Sequence, residues 1–131
     1  IMEACKDSGL ADFISEVSLD YVVGQNGAML SGGQKQKIAL ARALVHNSPV
    51  IIFDEATSNT DAYSEHQING LLHTKLKEKT VIIITHKQEI LKEADQIIML
   101  KDGAVVGSGV YDDLSKDNLE FKNMLNMGEK Y

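Results

Sequence analysis

The residues best suited to chemistry in this sequence are two adjacent carboxylates. Asp54 and Glu55 directly follow the apolar run Val50–Phe53. Mg²⁺ prefers oxygen ligands such as aspartate and keeps part of its hydration shell when it binds. A neighbouring glutamate can orient or deprotonate a water molecule that attacks a terminal phosphate. The pair therefore predicts a magnesium ligand at Asp54 and a general base at Glu55, although two acids that end a strand would give the same pattern.

A second group, Ser31-Gly32-Gly33-Gln34, stands before a stretch rich in helix-forming residues. The first turn of a helix has unpaired N–H groups and a partial positive charge, so it attracts phosphate. Glycines let the backbone approach a ligand closely, and the Ser31 hydroxyl adds a donor. The four residues predict a phosphate contact, while a serine-capped helix after a glycine turn remains the plain alternative.

Two further polar residues follow apolar or loop segments. His86 comes after Thr85 at the end of a β-branched run, where an imidazole could contact a terminal phosphate. A single histidine is usually incidental, but its place after the strand that follows the acidic pair favours the functional interpretation. Asp61 ends the segment Ser58-Asn59-Thr60-Asp61 and suits a helix N-cap. A cap and a contact with another subunit can coexist at Asp61.

The elements that must position these groups alternate between strands and helices. The predicted strands are Val50–Phe53, Thr80–Thr85, Asp95–Leu100 and Ala104–Gly109, the last two joined by a turn at residues 101–103. The predicted helices cover residues 2–16 with a break at Gly9, 35–46, 62–78, 88–94, 111–117 and 119–127. Alternating strands and helices favour a parallel α/β sheet, here with an antiparallel appendage. Ligands bind beyond the carboxyl ends of such strands, which is where Asp54, Glu55 and His86 are predicted to lie.

Composition limits the class of protein. The chain has 131 residues, of which 44% are hydrophobic and 24% charged, so it can bury one sizeable core and is not a disordered tail. The net charge of −6 disfavours nucleic-acid binding through surface charge. Cys5 is the only cysteine, which excludes an intramolecular disulfide. The longest apolar runs fall far short of the ~18–20 residues of a membrane span.

Together these segments resemble the nucleotide-binding domain of ATP-binding cassette (ABC) transporters. LSGGQ at 30–34 is similar to the signature motif, and VIIFDE at 50–55 to the Walker B motif with its catalytic glutamate. SNTD at 58–61 resembles the D-loop, and THK at 85–87 the switch-histidine loop. Residues 22–44 and 94–114 are especially similar to exporter-type cassettes. The resemblance implies the P-loop NTPase fold of these ATPases and covers nearly the whole chain.

The resemblance implies a role for each matching residue. Two cassettes of the family pair head to tail and enclose two ATP molecules with Mg²⁺. Ser31, Gly32, Gly33 and Gln34 would then contact ATP carried by the partner, and Asp61 would reach toward the partner. Asp54 would hold Mg²⁺, while Glu55 and His86 would act catalytically on ATP carried by their own subunit. Hydrolysis would drive the membrane-spanning domains of an exporter from the cytoplasmic side of the membrane.

Two departures from the family pattern bear on this expectation. Asn59 and Thr60 replace the usual Ala-Leu of the D-loop, which affects the geometry of the subunit interface. No Gly-x-x-x-x-Gly-Lys-Ser/Thr sequence occurs among the 131 residues. The chain is therefore expected to be the C-terminal half of a cassette and inactive alone. Residues 1–46 would belong to the helical subdomain and 47–131 to the ATPase core, with an exposed sheet edge where the missing Walker A strand would lie.

Two other classes of function remain open. Soluble ABC-type ATPases of DNA repair, chromosome maintenance or the ribosome share the signature and Walker B motifs. Ribosome-associated cassettes typically have Asp-Glu-Pro-Thr-Asn-His-Leu-Asp where this chain has DEATSNTD at 54–61. A truncated, non-catalytic module that only pairs with another cassette is the third class. The expected partners are a second nucleotide-binding domain and the transmembrane domains, with no nucleic acid.

Overall fold

The computed structural model describes residues 1–54 and 69–128, and the side chains among them up to residue 125. Glu55 and Asp61 lie outside the described residues. The chain divides into two compact units, Ile1–Ile84 and Thr85–Tyr131. Each unit has its own secondary structure and its own buried cluster of apolar side chains.

The first unit begins with helices. α1 covers Met2–Asp7 and α2 covers Ala11–Val17, separated near Gly9 as predicted. A single 3₁₀ turn at Gln25–Gly27 interrupts the irregular stretch that follows. α3 covers Gly32–His46 and so starts three residues before the predicted residue 35. The prediction began the helix too late because it judged the glycines by propensity, whereas the serine cap that it left as an alternative puts the helix start at Gly32.

Strands β1 (Val50–Asp54) and β2 (Thr80–Ile84) form the parallel pair that the sequence predicts. Phe53 is opposite Ile83, and Asp54 is opposite Ile84. The parallel strand pair, with helices packed against one of its faces, confirms the α/β class. β1 is one residue longer than predicted and β2 one residue shorter, because the pairing ends together at Asp54 and Ile84.

The helix predicted over 62–78 ends earlier than expected. Residues 62–68 lie outside the described residues, residues 69–73 are helical, and 74–78 form turns. The amide of Thr74 donates to the carbonyl of Leu71 at 3.2 Å, and the amide of Leu76 donates to that same oxygen at 2.9 Å. This change from the helical i to i−4 pattern stops the helix. It also turns the fully buried Leu76 into the core.

α3 contributes to both apolar clusters of the first unit. Leu40 packs in a cluster under one face of the sheet, whose buried members are Leu40, Ile51, Phe53, Leu71 and Leu76. The adjacent Ala41 packs in a second cluster with α1 and α2, whose buried members are Ala4, Cys5, Leu10 and Ala41. Because one helix is part of two clusters, its position is fixed from two sides.

The other face of the β1–β2 pair is bare. Four large aliphatic side chains on it are 47–63% exposed: Val50, Ile52, Ile82 and Ile84. Parallel sheets are normally buried on both faces, so an apolar face of this kind is unusual. Among residues 1–54 and 69–128, β1 and β2 pair only with each other, and each therefore has one unpaired edge.

The second unit is built around an antiparallel hairpin. α4 (Gln88–Glu93) precedes β3 (Ile97–Lys101) and β4 (Ala104–Gly109), and α5 (Tyr111–Asp117) and α6 (Leu119–Gly128) follow. The hairpin is confirmed, with β3 starting two residues later than predicted. Asp102 and Gly103 have φ angles of 51° and 77° at the turn, which suits the twist of a two-residue hairpin.

The core of this unit joins the hairpin to its helices. Leu91, Ile97, Leu114 and Phe121 are its buried members. The Phe121 ring meets that of Tyr111 edge to face, with the ring centroids 5.6 Å apart. In the part of the chain that the structure describes, no helix is both long enough and apolar enough to cross a membrane.

Candidate functional site

Ser31 caps the first turn of α3 through a pair of reciprocal hydrogen bonds. Its hydroxyl oxygen accepts from the backbone amide of Gln34 at 3.2 Å. Its own backbone amide donates to the side-chain carbonyl oxygen of Gln34 at 2.8 Å. The arrangement is a capping box, in which two backbone donors at the helix start are satisfied at once. The serine-capped helix that the sequence left as an alternative is therefore present.

The cap leaves the donors that a phosphate could use. Gly32 and Gly33 occupy the first two positions of α3, where backbone amides have no intrahelical acceptor. The bond from Gln34 uses a lone pair of the Ser31 hydroxyl, so the hydroxyl proton can still donate. Ser31, Gly32 and Gly33 are all exposed. The helix cap and an external anion therefore do not compete for the same groups.

The two glycines have no internal explanation. A Cβ atom placed on Gly32 or Gly33 would have no atom within 4 Å apart from its chain neighbours and the backbone of its own helix, and neither residue has a positive φ. Glycine costs a helix up to about 1 kcal/mol relative to alanine. At Gly32 and Gly33 this loss of helix stability is not offset by closer packing or by a backbone angle that only glycine adopts. The open space beside both residues fits a group that approaches the backbone from outside the described residues.

The charge at the start of α3 differs from that of the other α-helices whose first turn the structure describes. Each of those has an acidic residue in its first turn, namely Glu3, Asp12, Glu89, Asp112 with Asp113, and Glu120. α3 has none. An acidic side chain at that place would neutralise the partial positive charge of the helix start. Without one, α3 offers a more favourable potential to an external anion.

Asp54 is the last residue of β1 and is exposed. Ile51 and Phe53 hold this strand in place, because both side chains are buried in the apolar cluster on one face of the sheet. Among the described residues no group of three or more histidine, cysteine or acidic side chains could hold a metal ion. A carboxylate at a strand end nevertheless fits Mg²⁺, which is commonly bound by one or two carboxylates with water and phosphate oxygens.

His86 belongs to the second unit, two residues beyond the end of β2 in the chain. The hydroxyl oxygen of Thr85 accepts from the backbone amide of Lys87 at 3.1 Å, and this turn encloses His86. The His86 side chain is exposed. Ser31 and Asp54 lie in the first unit and His86 lies in the second. Glu55 and Asp61 lie outside the described residues.

Gln34 has a role that the sequence analysis did not assign. It was predicted only as a nucleotide contact, yet its side-chain oxygen is already bonded to Ser31. The spacing Ser-x-x-Gln before a helix is itself a capping-box signature. That signal was present in residues 31–34 and also gives the correct start of α3.

A cavity of about 300 Å³ in the first unit holds several charges. Lys75 forms an ion pair with Glu3 and lies 3.5 Å from an oxygen of Asp7. Lys79 donates to the side-chain oxygen of Asn47 at 2.8 Å and to the carbonyl of Ser48 at 2.7 Å. Because both lysines are engaged by the protein itself, the cavity does not have the character of an anion site.

Comparisons with known proteins agree with the motifs. Residues 3–58 match the family model described as ABC transporter. The alpha-hemolysin translocation ATP-binding protein HlyB of Proteus vulgaris is 46% identical over 119 residues, which are 89% of this chain and 17% of that protein. The ATP-dependent lipid A-core flippase of Pseudomonas fluorescens is 40% identical over 130 residues, 98% of this chain and 22% of that protein.

A solved structure also matches. The structure of a bacterial Atm1-family ABC exporter with ATP bound has a TM-score of 0.90 and 33% identity, covering 98% of this chain and 23% of that one. The chain thus spans about a fifth of the length of these relatives. At 98% coverage the match extends over both units of this chain. The chain belongs to the ABC transporter family and has the fold of part of an exporter-type nucleotide-binding domain.

Proposed function

We propose that this chain forms part of the ATP-binding and ATP-hydrolysing domain of an ABC exporter. The observation that carries the proposal is the first turn of α3. There the capping residue Ser31 and two glycines without internal contacts present exposed hydrogen-bond donors. Ser31, Gly32 and Gly33 contact the γ-phosphate of ATP bound by a second cassette. Phosphoryl transfer depends mostly on positioning and electrostatic stabilisation, which such donors supply.

The remaining site residues serve ATP held by their own subunit. Asp54 holds Mg²⁺, and the metal neutralises charge that develops on the phosphate oxygens. Glu55 orients or deprotonates the attacking water, and His86 contacts the terminal phosphate. Asp61 reaches toward the partner cassette. Their sequence spacing and their match to the family motifs support these roles.

Because some site residues act on the partner's ATP and others on the ATP of their own subunit, the proposed roles imply specific partners. A cassette that contributes donors to its neighbour's ATP needs a second nucleotide-binding domain in a head-to-tail pair. The transmembrane domains of the transporter use the opening and closing of that pair, with the cassettes at the cytoplasmic face of the membrane. The names of the relatives, a hemolysin translocation protein and a lipid A-core flippase, support export as the direction of transport.

A chimera tests the catalytic proposal. Residues 1–131 would replace the matching segment of Escherichia coli HlyB, which is 48% identical over 116 residues. We expect the chimera to hydrolyse ATP. Glu55→Gln should lower kcat by about 10²-fold or more, since general-base catalysis contributes typically about 10²–10⁴-fold. Ser31→Ala should lower it by about 10²-fold through loss of one donor.

Ser15→Ala is the matched control for the serine change, because Ser15 is also exposed and bonds only to the carbonyl of Asp12 in its own helix. Its ATPase rate should equal that of the parent chimera. Hydrolysis at the parent rate by the Glu55→Gln chimera would remove the assignment of Glu55. An equal rate for Ser31→Ala would remove the γ-phosphate contact at the start of α3.

The isolated chain should bind Mg·ATP weakly and hydrolyse it negligibly. Its 131 residues contain no Walker A sequence, whose backbone amides and lysine supply many of the phosphate contacts in P-loop ATPases. Isothermal titration with Mg·ATP measures this directly. Submicromolar binding by the chain alone would contradict the expectation.

A further inference from the structure

We propose that Gln34 is a positioning residue, which acts on the phosphate of a bound nucleotide through Ser31. The inference rests on the proposed function, in which the Ser31 hydroxyl donates to that phosphate. Gln34 is half-buried, whereas Ser31, Gly32 and Gly33 beside it are exposed. Its side chain lies back along the helix start, with its oxygen on the backbone amide of Ser31 at 2.8 Å.

The reciprocal bonds fix both the backbone and the side chain of Ser31. The bond to the Ser31 amide holds that residue in extended geometry, with φ −67° and ψ 161°, just outside the helix. The bond from the Gln34 amide to the Ser31 hydroxyl oxygen, at 3.2 Å, restricts the side-chain torsion. With the torsion restricted and a lone pair occupied, the hydroxyl proton has fewer directions available. A donor prepared in this way needs little reorganisation when a phosphate arrives.

The alternative role for Gln34 is direct contact with the nucleotide. The side-chain oxygen is occupied by the Ser31 amide, so only the side-chain NH₂ group could make such a contact. The two roles predict different couplings between Ser31 and Gln34. A residue that acts through Ser31 has no effect once the Ser31 hydroxyl is gone, whereas an independent ligand still has one.

The test is a double-mutant cycle in the Escherichia coli HlyB chimera, where a second cassette can carry the ATP, with Mg·ATP as the probe. Isothermal titration in the Glu55→Gln background, which slows hydrolysis, gives the apparent Kd of each variant. Gln34→Met keeps the size of the side chain but removes its hydrogen-bonding groups. We expect Gln34→Met and Ser31→Ala each to raise the apparent Kd about tenfold, the effect of losing one hydrogen bond to a charged group. The double variant should bind as Ser31→Ala does.

A second measurement follows the capping box without nucleotide. Hydrogen exchange of the Ser31 amide should be about tenfold faster in Gln34→Met, and Gln34→Glu should restore it, because glutamate also serves in a capping box. Arg42→Met is the control for a change elsewhere on α3, since Arg42 is exposed and lies eight residues beyond Gln34 in the chain. It should change neither the exchange rate nor the Kd.

The outcomes separate the inference from the function on which it rests. Additive losses in the double variant, or an unchanged Kd in Gln34→Met, overturn the positioning role while the nucleotide contact stands. A Ser31→Ala chimera that binds Mg·ATP as tightly as its parent overturns the proposed phosphate contact at the start of α3, and the inference with it. A Gln34→Met chain that melts at the wild-type temperature but binds less tightly excludes an effect through helix stability alone.

Discussion

Glycines occur for opposite reasons in the first turn of α3 and in β4. A Cβ atom at Gly107 would lie 2.6 Å from the side-chain nitrogen of Asn118 and 3.4 Å from the sulfur of Met99. A Cβ atom at Gly32 or Gly33 would meet no side chain and no backbone beyond its own helix turn within 4 Å. The fold itself requires Gly107, whereas nothing among residues 1–54 and 69–128 requires the pair in α3. Glycines without an internal reason therefore mark the surface where an outside group comes close.

The Asn118 side chain, which lies beside Gly107, is held by two hydrogen bonds. Its side-chain oxygen accepts from the amide of Phe121 at 2.9 Å and so caps α6, while its nitrogen donates to the carbonyl of Val106 at 3.3 Å. Asn118 thus joins the strand to the last helix at a place where only glycine leaves room. Ser31 and Gln34 also cap a helix, α3, through hydrogen bonds, but the space beside Gly32 and Gly33 is open. Both regions are capped helix starts, but only one leaves space for another molecule.

The largest expected effect is that of Gly107→Ala. Because Asn118 is held at both ends of its amide, the new methyl group cannot displace it freely, and overpacking of this kind costs about 1–3 kcal/mol. Urea unfolding of the variant should show a lower midpoint with an unchanged slope. Gly70→Ala is the matched control, since a Cβ there meets nothing within 4 Å. Equal stability of the two variants would contradict the internal role of Gly107.

Gly32→Ala and Gly33→Ala should act in the opposite direction. Alanine is the better helix former, so each change should raise the free energy of unfolding by up to about 1 kcal/mol. Binding of Mg·ATP should weaken, because the added methyl group occupies the open side of the turn. Unfolding of the isolated variants and Mg·ATP titration of the corresponding HlyB chimeras test the two parts. Stabilised variants that bind Mg·ATP as the wild type does would break the contrast between the two regions.

The smallest expected effect concerns a contact made by charges at the surface. Lys75 is 47% exposed and Glu3 75% exposed, so their ion pair adds little to stability. The hydrogen bond from Lys75, and then its charge, lower the pKa of Glu3 below 4.5. The same hydrogen bond, with the charges of Asp7 and Glu3, raises the pKa of Lys75 above 10.5.

The sign of the pH dependence follows from these directions. The contribution of Glu3 is present above its unfolded pKa and is lost as the pH falls through its lower folded value. That of Lys75 is present below its unfolded pKa and is lost as the pH rises through its higher folded value. Lys75→Met should slightly reduce the loss of unfolding free energy at both low and high pH, measured by denaturant titration. In the wild type, 1 M salt should have the same effect. Lys77→Met, at an exposed lysine of the same turn, is the control. Identical pH profiles for Lys75→Met and the wild type would show that the pair contributes nothing.

Much of the architecture could be predicted because its signals are local. The β-branched runs at Val50–Phe53 and Thr80–Thr85 predicted the parallel strands to within one residue. Asp102 and Gly103 predicted the hairpin turn, since few other residues adopt positive φ there. The early end of the helix at 74–78 could not be predicted. It depends on Leu76 turning into a core whose other members, such as Phe53 and Leu40, are distant in sequence.

In the candidate site, too, some features depend on local sequence and others on contacts between distant segments. The order and type of residues determined the family motifs, the helix cap at Ser31 and the position of Asp54 at a strand end, because each depends on neighbours a few residues away. Only the tertiary structure decided that Gly32 and Gly33 face open space, that Gly107 does not, and that α3 is held by two apolar clusters. Open space is a property of everything that surrounds a residue. It arises from contacts between segments far apart in the chain, which no local pattern encodes.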